Sequence, residues 1–97
     1  MFVYDKILDW ATERNLIDGS DPKTQLLKTM SELGELADAI NEGDRVGQID
    51  GIGDVVVTLV IVAAQLGFDF EDCVVEAYNQ IKDRKGKTVD GVFIKEI

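Results

Sequence analysis

The sequence has no histidine and a single cysteine among its 97 residues, and each absence excludes a class of chemistry. Without histidine there is no Ser-His-Asp triad, no HExxH zinc site and no imidazole general base. The lone Cys73 forms no intrachain disulfide, and a thiolate zinc site needs more than one cysteine. Acid–base chemistry in this chain therefore falls to carboxylates.

Positive charge is also scarce, since ten lysines and arginines face nineteen acidic residues and the net charge is −9. Such a surface repels phosphate backbones, so we expect no nucleic-acid partner. Small phosphorylated molecules stay open as ligands, provided that a metal ion supplies the missing positive charge.

Long apolar runs and a basic leader are lacking as well. The longest apolar stretch, residues 55–64, is interrupted by Thr58 and has about half of the roughly 20 residues needed to span a bilayer. No basic segment precedes an apolar one at the N-terminus, as a secretory signal would require. We therefore expect no membrane partner and a cytoplasmic protein.

The length predicts one domain, residues 1–97, and excludes a two-lobed enzyme with a cleft between its lobes. A chain this short buries only about 60–65% of its unfolded surface. A second subunit often supplies the missing core in such chains.

Two helices are marked by their apolar spacing and by their ends. Apolar residues recur at helical spacing over residues 1–16. Asp21 followed by Pro22 is typical of a helix N-cap and first position, and Gly43 of its C-terminal stop. The intervening apolar residues recur every three or four positions and form one stripe.

The third segment, about residues 44–66, is polar and glycine-containing at first and then apolar on every side over residues 55–64. Its β-branched residues suggest a strand, but the length without turn residues favours a helix. A helix that is apolar all round belongs in the middle of a bundle or at a subunit interface. We expect its outer half, exposed in a lone bundle, to meet a second subunit.

A fourth helix is predicted after Asp69, which with Asp72 resembles a capping box, and it ends before Gly86. Asp90-Gly91 then turns the chain into an extended tail. Four helices with short connections predict an all-α protein, an antiparallel four-helix bundle with a short extended C-terminal tail.

Two pairs of acids are candidates for a metal site. Glu32 and Glu35 share a helix face at i and i+3, with Lys28 one turn before. A solvated acidic face is the ordinary interpretation of such a pair. Asp50 and Asp54, at i and i+4, precede the most apolar stretch, where stabilisation by a helix dipole is the alternative. If the two helices bring these acids together, the oxygen ligands suit Mg²⁺ or Mn²⁺.

The fourth helix offers groups that suit phosphate. Asn79 can donate or accept hydrogen bonds, and Lys82 carries a compact positive charge on the same face. An exposed polar helix side explains them equally well when taken alone. Beside an acidic metal cluster they would form the anion-binding half of a metal–phosphate site.

These motifs together resemble the MazG-like branch of the all-α nucleoside triphosphate pyrophosphohydrolases. That family carries Glu-x-x-Glu on one helix and Glu-x-x-Asp at the opening of the next. The resemblance covers about residues 20–88. The segments that carry it are Glu32-Leu33-Gly34-Glu35-Leu36, Gly53-Asp54-Val55-Val56 and the helix from Ala77 to Arg84.

The resemblance implies the MazG-like helical fold, a homodimer or homotetramer, and hydrolysis of an NTP or dNTP to the monophosphate and pyrophosphate, as in house-cleaning of nucleotide pools. It implies Mg²⁺, with Mn²⁺ as an alternative, and a metal and nucleotide site within about residues 28–88. The metal ligands would be Glu32, Glu35, Asp54 and Asp50, and Glu32 or Glu35 would activate water. The substrate-binding candidates are Lys28, Asn79, Lys82, Arg84 and Lys85.

One position departs from the family pattern. The glutamate expected three residues before Asp54 is Gly51, and an acid stands one step earlier at Asp50. On a regular helix these two positions lie on opposite sides of the Asp54 direction. We expect Asp50 to replace the missing ligand only if the helix is irregular there.

Two alternatives remain at this point. One keeps the enzyme class and changes the substrate to dUTP, dCTP or phosphoribosyl-ATP, as in related all-α families. The other is a non-catalytic helical oligomerisation module, in which the apolar third helix binds a partner and the acids hold a structural cation or nothing.

Overall fold

The computed structural model describes residues 2–97 and shows four helices followed by a two-stranded hairpin. The elements are α1 Val3–Glu13, α2 Pro22–Glu42, α3 Arg45–Gln65, α4 Phe70–Ile81, β1 Gly86–Val89 and β2 Val92–Lys95. The all-α prediction is confirmed. The extended tail pairs with the residues before it as an antiparallel hairpin, with Val89 opposite Val92 at the turn.

The ends of the helices follow the local signals in the sequence. The Asp21 carboxylate accepts a hydrogen bond from the Thr24 backbone N–H at 2.8 Å, and Pro22 follows as the first helical residue. Gly43 ends α2 with a φ of 69°, a left-handed conformation that glycine adopts without strain. The Asp69 carboxylate likewise accepts from the first backbone N–H groups of α4.

The apolar segment is helical throughout, and α3 is the helix that the other three share. It packs most extensively against α2, with smaller contacts to α1 and α4. The rings of Tyr4 and Phe70 meet edge to face at 5.1 Å and join α1 to α4. The prediction of a central apolar helix is therefore correct, and α2 with α3 forms the frame on which the site is built.

Two contacts set how α2 lies against α3. The hydroxyls of Thr29 and Thr58 lie 2.7 Å apart and are buried. Further along, Gly51 faces Leu36, and a Cβ at position 51 would lie 3.1 Å from the Leu36 Cβ and 3.3 Å from its Cα. A glycine at 51 thus permits the close approach of the two helices, and the hydroxyl pair lies one helical turn from Glu32 and from Asp54.

The interior of the chain is small. Its buried apolar residues are Ala11, Ala39, Val60, Ile61 and Ala63. No residue of α4 is buried. The radius of gyration is 15.8 Å, whereas a compact domain of this length has about 12.5 Å. One chain by itself therefore leaves much apolar surface uncovered.

The location of that surface differs from the prediction. Residues 55–64 are all buried or half-buried, because α3 lies between three helices. The exposed large apolar side chains lie instead on α2, on the first turns of α3 and on α4. Examples are Leu27, Met30, Ile40, Val46, Ile49 and Tyr78, each at least 60% exposed.

By length and composition alone, α3 would be able to cross a membrane. A single such helix is weak support for a membrane span, because the central helix of a soluble bundle passes the same test. Here α3 is packed among α1, α2 and α4.

Candidate functional site

Glu32 is the most deeply placed acid among the candidates. It lies on the face of α2 that packs on α3 and is only 6% exposed. The Lys28 ammonium lies 3.0 Å from Oε1 of Glu32, one helical turn away. The hydrogen bond from Lys28 holds the pKa of Glu32 below its usual range, so this carboxylate stays ionised.

The second oxygen of this carboxylate has no partner. Oε2 of Glu32 is buried and, among residues 2–97, no group donates a hydrogen bond to it. A buried carboxylate oxygen without a donor is costly, and native structures seldom contain one without a reason. An unpartnered anionic oxygen near other acids is a candidate position for a cation.

Glu35 and Asp54 lie close enough to Glu32 for its charge to affect them. The neighbouring Glu32 carboxylate raises the pKa of Glu35. Burial raises the pKa of Asp54, and the charge of Asp50 adds to the increase. Asp54 thus lies close to Glu32 and Glu35 across the two helices, with Asp50 beside it, and we call these four residues the acid cluster.

The acid cluster has the ligand type that a divalent cation prefers, but its side chains do not form a coordination site as they stand. All of its donors are hard carboxylate oxygens, which suit Mg²⁺ and Mn²⁺, and one of them is the unpartnered Oε2 of Glu32. Within residues 2–97, however, no group of three acids is arranged to hold a metal ion. To hold a cation, these side chains would have to turn toward it.

A cavity of about 440 Å³ opens beside one end of the acid cluster. Lys28, Glu32 and Asp54 line its polar end. The other walls are formed by Trp10, Leu16, Thr24, Gln25, Val57, Thr58 and Ile61. A charged end joined to a partly apolar chamber suits a ligand with a charged group and a flat ring system.

Sequence reasoning missed the residues that α1 contributes to this cavity. Trp10 is the only tryptophan, is 45% exposed, and carries the Arg14 guanidinium 4.5 Å from its ring centre. Its rarity is the one signal that could have marked it. The side of α3 on which α1 packs is a long-range property that the local pattern does not contain.

A second cavity, of about 320 Å³, lies on the other side of the cluster. We call it the acidic groove. Its lining residues are Glu35, Asp38, Ala39, Glu42, Asp44, Gly47, Asp50, Gly51 and Asp54. Six of these are acids and none is basic.

Comparison with known sequences identifies the family of this chain. The sequence pattern of the MazG nucleotide pyrophosphohydrolase domain matches residues 20–89, a span that contains α2, α3, α4 and the whole acid cluster. The chain belongs to this family.

A relative of the MazG-domain chain is known from a bacteriophage. The chain is 40% identical over 63 residues to an uncharacterized 18.2 kDa protein in the rep-hol intergenic region of Haemophilus phage HP1. The matched part is 65% of this chain and 39% of the phage protein. The chain thus spans well under half of that relative. No solved structure matches the chain.

The MazG-domain chain keeps a regular helix where its acids depart from the family pattern. α3 runs unbroken from Arg45 to Gln65, so the irregularity that would let Asp50 replace the missing ligand is absent. Gly51 is buried against Leu36 and lines the acidic groove. The charge of Asp50 nonetheless helps to raise the pKa of Asp54, so Asp50 is near enough to affect the site.

The four candidates on and after α4 lie apart from the cluster. Asn79, Lys82, Arg84 and Lys85 are exposed. None of them lines either cavity beside the acid cluster. Within the described residues, a single chain therefore does not bring the predicted anion-binding half to the predicted metal-binding half.

Proposed function

We propose that this MazG-domain chain is a divalent-metal-dependent nucleotide pyrophosphohydrolase that converts an NTP or dNTP to its monophosphate and pyrophosphate. The observation that carries the proposal is the buried, unpartnered Oε2 of Glu32 among three further carboxylates. It lies inside the span that matches the pyrophosphohydrolase domain.

Glu32, Glu35 and Asp54 would hold Mg²⁺ or Mn²⁺, and the charge of Asp50 beside Asp54 would add to the attraction for the ion. When bound, such an ion neutralises phosphate charge and polarises a phosphoryl oxygen. One oxygen of the Glu32 carboxylate pairs with Lys28, and the other lies in the acid cluster. Glu35, in contrast, is exposed and has no ion-pair partner among residues 2–97. Glu35 is thus the better placed of the two catalytic candidates to orient the attacking water and accept its proton.

The substrate would span the cavity that Trp10 lines. Its phosphates would lie at the end formed by Lys28 and the acid cluster, and its nucleoside against Trp10 and Leu16. Gln25 and Thr24 offer polar groups to the base or sugar. Cleavage of the anhydride bond releases pyrophosphate, whose charge Lys82, Arg84 or Lys85 would stabilise after delivery by another subunit.

We further propose that residues 1–97 form one domain, that the active protein is at least a homodimer and works in the cytoplasm, and that neither nucleic acid nor a membrane is its partner. The uncovered apolar surface of α2 and α4 supports the assembly. The excess of acids supports the exclusion of nucleic acid.

A pyrophosphate-release assay across the NTPs and dNTPs, with and without Mg²⁺ or Mn²⁺, tests the activity. We expect release that stops in EDTA. A preference for dUTP, dCTP or phosphoribosyl-ATP would change the substrate and keep the enzyme class. The absence of release with every nucleotide would leave the non-catalytic module, which the glycine at position 51 favours.

Thermal unfolding tests the metal site without requiring activity. At 100 times its dissociation constant, a ligand stabilises the folded state by about 2.7 kcal/mol. We expect a higher melting temperature in saturating Mg²⁺ or Mn²⁺ than in EDTA, because a cation relieves the repulsion among the four carboxylates. Equal melting temperatures would refute the site.

A further inference from the structure

The positive charge of the chain is concentrated at its C-terminal end. Residues 82–97 contain five of the ten basic residues and only three of the nineteen acids. The five are Lys82, Arg84, Lys85, Lys87 and Lys95. The remaining four-fifths of the chain is therefore strongly acidic, and the two regions have opposite charge.

Within residues 2–97, these five cations form no ion pair. In the part of the chain that the structure describes, the ion pairs are Arg14 with Glu13 and Lys28 with Glu32. The acidic groove is equally without a cation, since no basic residue lines it. One molecule thus presents an unpaired basic end and an unpaired acidic groove.

The hairpin that carries this basic end is itself uncovered. All residues of β1 and β2 are exposed. The register places Lys87, Val89, Val92 and Ile94 on one face of the hairpin. The three aliphatic side chains on this face are 41%, 62% and 50% exposed, respectively. A two-stranded hairpin with an open apolar face is at best marginally stable in water, so this face indicates a docking surface.

We propose that the C-terminal hairpin of one copy of this chain docks over the acidic groove of a second copy, through the face that carries Lys87. A second copy is the occupant that pairs the basic hairpin and the acidic groove at the same time. A metal ion in the acid cluster would leave Asp38, Glu42 and Asp44 of the groove, and the hairpin cations, without a partner. A phosphate bound to the hairpin would leave the groove unpaired. Neither would cover the aliphatic side chains of the hairpin.

Symmetry strengthens the interaction. In a two-fold dimer, docking of the first hairpin on the second chain is matched by docking of the second hairpin on the first, so each contact forms twice. Exposed aliphatic residues also lie near the groove acids in sequence, since Val46 and Ile49 flank the turn of α3 that leads to Asp50. They offer apolar contacts to the hairpin valines.

The docking has a consequence for the site, and this consequence alone rests on the proposed function. The acidic groove includes Glu35, Asp50 and Asp54 of the acid cluster. A hairpin seated there brings the basic end of α4, with Lys82 and Arg84, beside the cluster of the other copy. Each active site then combines the acids of one chain with the cations of its partner.

Zero-length cross-linking with a carbodiimide tests the contact directly, since it joins a lysine amine to a carboxylate that touches it. The full chain is prepared in ¹⁴N and ¹⁵N forms, mixed, cross-linked and analysed by mass spectrometry. We expect links of mixed isotope from Lys87 to Asp38, Glu42 or Asp44. Links confined to one chain, links to carboxylates outside the groove, or no hairpin links would each overturn the proposal.

Charge reversal provides a second measurement. We expect Lys87→Glu to weaken self-association about tenfold or more by sedimentation velocity, and Glu42→Lys in the same chain to restore part of the loss. Lys23→Glu is the matched control, because it makes the same charge change at an exposed position of α2. Equal association of Lys87→Glu and Lys23→Glu would overturn the proposal.

Cross-linking and the pyrophosphate-release assay together separate this inference from the proposed activity. Mixed-isotope links in a chain that releases no pyrophosphate would support the docking and refute the enzyme. Pyrophosphate release in a chain whose hairpin links to no groove would refute the docking and support the enzyme.

Discussion

At the scale of single residues, Glu32 and Glu35 have opposite environments although they lie one helical turn apart. Glu32 is buried and paired with Lys28, which lowers its pKa, whereas Glu35 is exposed and has its pKa raised by Glu32. Neighbouring carboxylates whose pKa values are moved apart are typical of acid–base sites. The exposed member is the one that can reach substrate water.

We expect Glu35→Gln to lower kcat for pyrophosphate release by about 10²-fold or more, because the amide is nearly isosteric yet a weak base and a poor metal ligand. Circular dichroism should show intact helices. Asp50→Asn should have a smaller effect, since Asp50 stands at an offset from the family position. Glu13→Gln, the same change at an exposed acid of α1 that lines neither cavity, is the matched control. Unchanged activity in Glu35→Gln would refute the catalytic assignment.

At the scale of elements, local capping gives α2 its start. The backbone N–H of Thr24 donates to the Asp21 carboxylate, and this hydrogen bond lowers the pKa of Asp21 below its ordinary value of 3.8. A depressed folded pKa means that the carboxylate stabilises the fold above the unfolded pKa and loses this effect as the pH falls through the folded pKa.

We therefore expect Asp21→Ala to be less stable than the parent chain near neutral pH, with the difference shrinking as the pH falls below about 4. Urea unfolding at several pH values measures this. Asp18→Ala, an exposed acid in the preceding turn, is the control and should show a smaller effect. A difference that stays constant down to pH 2 would contradict the capping role of the ionised carboxylate.

The packing of α2 on α3 can be tested with two glycines on the same helix. A Cβ at Gly53 meets no atom within 4 Å, whereas a Cβ at Gly51 crowds Leu36. We expect Gly53→Ala to raise the free energy of unfolding by about 0.5–1 kcal/mol through helix propensity.

Gly51→Ala should fail to stabilise, or should destabilise, because the crowding offsets the same gain in propensity. Leu36→Ala in the Gly51→Ala background should relieve the crowding while losing the Leu36 contacts. Urea unfolding of all variants provides the comparison. Equal stabilisation by the two single alanines would show that α2 and α3 do not approach closely at this position.

At the scale of the whole molecule, the chain is more extended than a compact domain of its length and has no buried residue on α4. Burial of apolar area contributes about 25 cal/mol per Å². The acidic surface opposes association, but at about 0.15 M salt its field reaches only about 8 Å. Burial of the exposed faces of α2 and α4 should therefore prevail.

We expect a dimer or larger species by analytical ultracentrifugation at low micromolar concentration. Met30→Glu should weaken the assembly about tenfold or more, because Met30 lies 60% exposed on the apolar stripe of α2. Ser31→Glu introduces the same charge at the next, exposed position and serves as control. A single species near 10.7 kDa with native helicity in the parent chain would refute the assembly.

The sequence by itself determined the four helices of this protein and identified the candidate acids. Asp21, Gly43 and Asp69 act on backbone groups within a few residues of themselves, so the ends of the helices follow from local chemistry. The spacing of Glu32 and Glu35 likewise ensures a shared face on any regular helix. The family pattern linked these acids to Asp54 before their proximity was visible.

The tertiary structure alone decided which surfaces meet. It placed α3 between three helices, so residues 55–64 are covered. Exposed apolar side chains lie instead on α2, α4 and the first turns of α3. It brought Trp10 to the cavity, set Gly51 against Leu36, and kept Lys82 away from the acid cluster of its own chain. These outcomes depend on contacts between residues far apart in the chain, and a periodic pattern shows which face of a helix is apolar but not what covers it.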